Sequence, residues 1–307
     1  MDQDTKILKN LLNIYWLRPE TAIWRTLDAL QLQKIEFTKP ILDIGCGDGI
    51  FTFSALGGIV DINYDVYRTM KKTDKFFSGK DIHDQLSNIE HIIIKKPKTS
   101  IDLGLDWKNN LLRKAKKLQT YDKLVKHDAN KKLPIKDNEF KTIFSNTFYW
   151  MDDIEHILKE SKRICHDDGK IIIFVPDKKF QKSLIFSDYL SQGHIWAKML
   201  DRGISNNIQH CYSLKEWKSI FSKIGLKIDY HSNYGTEQLV KFWSIGLRPY
   251  SPFLIEMANT LNLKTRTKIK QKLIHDLTPL LKSYIDYELS SIGKNNCFHL
   301  FVLKKSR

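Results

Sequence analysis

The stretch Ile41-Leu42-Asp43-Ile44-Gly45-Cys46-Gly47-Asp48-Gly49-Ile50-Phe51-Thr52 runs from four strand-like residues through three alternating glycines into an apolar segment. A buried strand that delivers a glycine turn and then a helix turns the first free amides of that helix toward a ligand. Glycine lets the backbone take positive φ and lets a ligand come close. The spacing is GxGxG, whereas a dinucleotide fold carries GxGxxG. Asp43, just ahead of the turn, is a poor neighbour for a pyrophosphate and suits a ligand with ammonium or sulfonium charge.

Short apolar strands followed by helices recur along the chain. Residues 101–106 and 123–128 read as strands, with a helix over 109–118 between them that carries Leu111, Leu112, Ala115 and Leu118 on one face. Residues 140–146 are a further strand. The next helix has Asp152, Asp153 and Glu155 in its first turn and an apolar stripe of Ile154, Ile157, Leu158 and Ile164, with Gly169 expected to stop it. Ile171–Val175 follows as a strand closed by Pro176, then a helix over 213–224, a strand over 226–230 and a last strand over 297–302. Alternation of this kind predicts an α/β fold, a seven-stranded, mostly parallel, doubly wound sheet whose ligands bind beyond the carboxyl ends of the strands. The expected organisation is an N-terminal helical segment over 1–39 and a Rossmann-like domain over 40–307. Three stretches, about 54–100, 178–211 and 236–292, break the alternation and read as helical insertions that build a cap.

The run DIGCGDG resembles the first motif of class I S-adenosylmethionine-dependent methyltransferases. The resemblance extends to Asp128-Ala129 after the third strand, to Leu133-Pro134 and Asp137–Phe140 ahead of the fourth, and to His166–Lys170 before the fifth. It implies a glycine turn (Asp43, Gly45, Cys46, Gly47) that holds the methionine part of S-adenosyl-L-methionine. It also implies an acid ending the second strand on the ribose, an acid and its neighbour (Asp128, Ala129) on the adenine, and Asn146 near the methyl group. A spacing of roughly 20 residues from the first glycine would put the ribose acid at Asp61 or Asp65. Asp106 is the better choice, because it ends a clearer strand, precedes a clearer helix and lies 22 residues before Asp128. Trp107 is placed to stack on adenine or to pack on the sheet edge. Arg18 is placed to meet the cofactor carboxylate or to form a salt bridge within the N-terminal helices.

Fifty Lys and Arg against 35 Asp and Glu give a net charge of +15, and 42% of the residues are hydrophobic. The lysines are scattered and no RNA-binding aromatic motif accompanies them, so nucleic acid is a secondary expectation. No apolar run approaches the ~20 residues of a membrane helix. Phe242–Tyr250 mixes aromatic and basic residues, as peripheral membrane contacts do, although a buried cap segment accounts for it as well. Four dispersed cysteines without a CxxC pair argue against a zinc site or a disulfide framework and, with an N-terminus lacking a signal-like pattern, suggest the cytoplasm. The expected activity is methyl transfer to a small-molecule or glycan-type acceptor without a metal. The alternatives are an RNA methyltransferase and a non-catalytic, cofactor-binding relative. No general base can be read from the sequence; His210, Tyr149 and His194 are the candidates.

Overall fold

A computed structural model describes residues 2–68, 93–201, 204–207, 209–294 and 296–306. Two helices open the chain, α1 (Gln3–Ile14) and α2 (Pro19–Leu32), followed by β1 (Ile41–Ile44), α3 (Ile50–Ala55), β2 (Ile59–Val60) and β3 (Ile93–Lys95). Next come β4 (Ile101–Asp106), α4 (Asn109–Lys117), β5 (Tyr121–Lys126), β6 (Phe140–Ser145), α5 (Ile154–Ile164) and β7 (Cys165–Pro176). Four short helices follow, α6 (Lys178–Ser183), α7 (Ser187–Ser191), α8 (Ile195–Asp201) and α9 (Ile204–Asn207). The chain then forms α10 (Leu214–Ile224), β8 (Leu226–Tyr234), α11 (Glu237–Ile245), α12 (Ser251–Thr260), α13 (Leu263–Ser290) and β9 (Phe298–Lys305).

Seven strands form one sheet in the order β5-β4-β1-β6-β7-β9-β8, with β2 and β3 making a separate antiparallel pair. The β1–β4, β1–β6, β4–β5 and β6–β7 pairings are parallel, and β9 runs antiparallel to both its neighbours. The strand order reverses at β1, so the crevice expected of such sheets opens above its carboxyl end.

Alternation along the inner strands sorts the core onto two faces. Phe144, Ile172, Phe174, Leu300 and Val302 face α1, α2, α3, α11 and α13. Ile143, Ile171, Ile173, Phe301 and Leu303 face α5 and α10. Helix α5 starts where its acidic turn was expected, with Asp153 accepting from the His156 amide at 2.9 Å. It ends at Ile164, before Gly169, because residues 165–170 already extend as the first part of β7. Ser213 and Glu216 cap α10 reciprocally, and Gly225 closes it in a left-handed conformation.

The described part of the first insertion is fastened to the third. Asp65 forms a buried ion pair with Arg266 of α13 at 2.7 Å, and Lys270 donates to the Ile62 carbonyl at 2.9 Å. Arg266 also lies 5.3 Å from the Trp16 ring, so this pair joins the N-terminal helices as well. Burial lowers the Lys270 ammonium to about 8. The remainder of that insertion, 69–92, lies outside the described residues. Removing one partner of such a pair strands a buried charge at a cost of about 3–5 kcal/mol. Arg266→Ala is expected to shift the urea unfolding midpoint by that equivalent. The double variant Asp65→Asn/Arg266→Gln, which leaves no lone charge, loses less.

Candidate active site

The glycine turn is held from beneath by the neighbouring strand. The Gly45 and Cys46 amides both donate to the Leu105 carbonyl, at 2.8 and 2.9 Å. One residue on, the Asp106 carboxylate accepts from the Gly47 amide at 3.0 Å and from the Lys108 amide at 2.8 Å. Gly45, Gly47 and Gly49 all have positive φ. A Cβ on Gly45 would overlap Thr147 Oγ1, which itself donates to the Ile44 carbonyl at 3.3 Å. A Cβ on Gly47 would meet nothing within 4 Å. The bare Cα of Gly47 therefore faces open space, the situation of a backbone that a ligand approaches.

Asp43 lies beneath the turn, fully buried, and accepts from Thr52 Oγ1 at 2.8 Å and from the Tyr121 hydroxyl at 2.7 Å. Burial pushes its carboxyl up to about 6, against the pull of those two hydrogen bonds. The folded state thus holds this proton more tightly than the unfolded chain, so ionising Asp43 subtracts stability as pH rises toward 6. A cation bound nearby reverses that penalty. Burial also raises Asp106, outweighing its two amide donors. Asp48 extends the acidic group; after burial, its charge is the next cause of the raised pKa of Tyr15 and of Tyr64. This end of the crevice is acidic in a protein with a net charge of +15.

The tip of β5 reaches the same place, since the His127 amide donates to the Asp106 carbonyl at 3.0 Å. Asp128 follows, its carboxylate accepting from the Asn130 amide at 3.0 Å, and Ala129 packs in the core beside Leu105 and Ile44. Asn146 stands between Ser145 and Thr147, the pair that touches the glycine turn. Asp43, Gly45, Cys46, Gly47 and Asp106 are therefore brought into one contact network, with Asp128 on the adjoining strand end. Asp65, the rejected ribose acid, is occupied by Arg266. Trp107 is 63% exposed, with the Lys108 ammonium 5.4 Å from its ring. Arg18 forms a buried ion pair with Glu20, where the expectation was the cofactor carboxylate or a surface salt bridge.

The three base candidates part company. His210 is buried; its Nε2 lies 2.8 Å from the Met151 carbonyl and its Nδ1 2.9 Å from the Tyr212 hydroxyl. A carbonyl only accepts, so Nε2 carries the proton and Nδ1 accepts from Tyr212. Tyr149 is buried edge-on to Phe298. His194 is exposed within an aromatic group with Tyr189 and Trp196, away from the loop after β6 that carries Tyr149 and meets His210. The sequence reading missed Thr52, Tyr121 and Thr147. Thr52 follows Asp43 by nine residues on the helix the turn opens, a spacing that a helix-facing hydroxyl search would have found. Tyr121 and Thr147 arrive from other strands and left no such signal.

Residues 98–173 match the family model described as a methyltransferase domain. A solved structure of an S-adenosylmethionine-dependent methyltransferase from Thermotoga maritima shares 18% identity, covering 68% of this chain and 74% of its own, with a TM-score of 0.43. One from Mesorhizobium loti shares 13%, covering 92% and 98%, with a TM-score of 0.46. The [4+2]-cyclase SpnF shares 12%, covering 94% and 83%, with a TM-score of 0.47. No curated protein matches the sequence. Residues 98–173, from the approach to β4 into β7, are thus similar to a methyltransferase domain and lie in a seven-stranded α/β sheet.

Two glycine substitutions separate the architecture of the turn from its open face. Gly45→Ala, overlapping Thr147 at a left-handed φ, is expected to yield little folded protein. Gly47→Ala meets no atom and should cost only about 1–2 kcal/mol for its φ. Thermal unfolding of the two variants checks the difference.

Proposed function

We propose that the chain is an S-adenosylmethionine-dependent methyltransferase acting on a small-molecule or glycan-type acceptor, with the cofactor over Gly45–Gly49. The observation that carries this reading is the acidic, open-faced turn: Gly47 bare toward the crevice, Asp106 beside it, Asp43 buried below. These residues fit the cofactor by charge and by room. In the proposed arrangement the amino-acid part lies along the open face of the glycine turn, its ammonium drawn by the charge of Asp43, while the amides of Gly45, Cys46, Gly47 and Gly49 stay bonded within the fold. Asp106 uses one lone pair of each oxygen on a backbone amide and keeps others for two ribose hydroxyls, since a carboxylate offers about four such sites. Asp128 and Ala129 flank the adenine, Trp107 offers it an exposed ring and Asn146 lies toward the methyl group, while Arg18 would meet the cofactor carboxylate only by leaving its ion pair with Glu20.

The bound cofactor supplies a methyl on a sulfonium, whose departure leaves a neutral thioether and needs no metal. The protein's share is then to hold the acceptor in line at about 3 Å, which can contribute roughly 7–11 kcal/mol, and to receive a proton. Of the three candidates His210 would receive it indirectly, at Nδ1, through the Tyr212 hydroxyl that donates to that atom. Met151, from the loop after β6, fixes its tautomer, and Tyr212 sits on the other nitrogen. An aromatic group made by Trp24, Tyr149, Phe180, Trp243 and Phe298 joins α2, that loop, α6, α11 and β9. It is the base on which the second and third insertions would form a cap over the acceptor. Among the described residues no helix is long and apolar enough to cross a membrane.

Titration calorimetry with S-adenosylmethionine tests the reading directly, and absence of binding would refute it. Asp106→Asn is expected to weaken binding at least tenfold, and Gly47→Ala to weaken it while the protein stays folded. Affinity for this cationic ligand should rise as pH climbs from 5 to 7, because Asp43 ionises through about 6; Asp43→Asn should flatten that profile. Transfer of labelled methyl groups to the small-molecule or glycan fraction of a cell extract is the expected outcome. Transfer to tRNA, with a steep salt dependence, would assign the acceptor to RNA, which the +15 charge would favour.

A further inference from the structure

At the far edge of the sheet, on the face covered by α5 and α10, a cleft of about 440 Å³ is left open beside β8 and β9. Its wall contains Asp177, His231, Asn233, Asn296 and His299, with Leu214 and Ile292 among its apolar members. Three of these form a chain: Asp177 Oδ2 lies 3.0 Å from His299 Nε2, and His299 Nδ1 lies 3.0 Å from His231 Nε2.

The carboxylate at the end of this chain orders its protons. Asp177 only accepts, so His299 Nε2 carries the proton and donates to it, which leaves Nδ1 of the neutral ring as a lone-pair acceptor. Asn233 Nδ2 stands 3.2 Å from that atom with its two protons directed to backbone carbonyls. His231 Nε2 must then donate to His299, which leaves His231 Nδ1 as a lone-pair acceptor. The His231 ring is clamped against Phe301, 4.7 Å away and nearly parallel. Asp177 is itself fixed at the N-cap of α6 by the Lys179 amide, at 2.9 Å. Burial, then the adjacent His299, depress His231 to about 4, so it is neutral at pH 7. The amide side chains of the wall are spent: Asn233 donates to the carbonyls of Asn296 and Phe298, and Asn296 to those of Asn233 and Ser291. An anionic ligand would thus find a carboxylate and no amide donor.

We propose that this cleft is a second ligand site, distinct from the cofactor crevice, for a small molecule with an apolar body and a protonated amine or hydroxyl that donates to His231 Nδ1. The relay favours such a donor because each hydrogen bond polarises the next toward the Asp177 carboxylate. His231 itself stands on β8, four strand spacings of about 4.8 Å, some 19 Å, from β1, so a group held at its Nδ1 is out of contact with a methyl above β1.

The test uses the full chain and three probes of one shape: 2-phenylethylamine, 2-phenylethanol and 3-phenylpropionate. Histidine ¹⁵N spectra should show His231 protonated on Nε2 at pH 7. The amine and the alcohol should shift its Nδ1 resonance, and the carboxylate should leave it unmoved. His231→Phe and Asp177→Asn should each weaken amine binding at least tenfold. S-adenosylmethionine binding, measured in parallel, should be unchanged, which both certifies the folded state and keeps this outcome separate from the methyltransferase reading. Silence of His231 toward all three probes would overturn the proposal. So would an equal response to the carboxylate, or undiminished amine binding in Asp177→Asn, the variant that keeps the helix cap if His231→Phe does not fold.

Discussion

The contact between Gly45 and its two neighbours governs the candidate site. Its amide hangs from the Leu105 carbonyl, and its missing side chain leaves the space that Thr147 fills. This one residue joins the tips of β1, β4 and β6, the three strands around the point where the sheet order reverses. Asp106 follows Leu105 directly, so the hydrogen bond that sets the turn also sets the acid beside it. The position of the acid is a consequence of strand register, with Ile44 paired to Leu105, and needs no separate explanation.

The same register explains why so much was readable in advance. Buried parallel strands tend to be near-continuous apolar runs, as the second half of β7 is written, while β4 alternates apolar with polar or small residues. The turn is written in glycines because positive φ at the three alternate positions 45, 47 and 49 admits little else. Spacing along the chain favours Asp106 over Asp65 as the ribose acid, and in the fold Asp65 is paired with the buried Arg266. What escaped were contacts that no local pattern encodes. Tyr121 opens β5 and reaches across β4 to Asp43, 78 residues away in sequence. Gly169 looked like a helix stop, but the chain had already turned extended at Cys165. A glycine stops a helix only when the left-handed conformation is used, and Gly169 does not use it.

The insertions show the limit from another direction. Their amphipathic stretches read as helices, yet their placement depends on single polar pairs such as Arg266–Asp65 and on the Trp24–Trp243 and Phe180–Phe298 ring contacts. These are long-range matches between segments whose composition is ordinary, and helical periodicity carries no information about them.

Charge is distributed against the average. A basic chain keeps carboxylates at the glycine turn, in Asp43, Asp48 and Asp106, and at the cleft beside β8 and β9, in Asp177 behind two histidines. Desolvation works against each of these groups, and the protein meets it differently in the two places. Asp43 is left with its carboxyl raised to about 6, so its charge is held at a cost that a bound cation offsets. For Asp177 burial is outweighed by the His299 ring and the Lys179 amide, so its carboxyl is lowered. The first arrangement ties the cost of the charge to a ligand and to pH; the second projects a stabilised charge through two oriented rings to an acceptor atom. Both select for ligands that donate protons or carry positive charge, which the +15 total alone would have argued against.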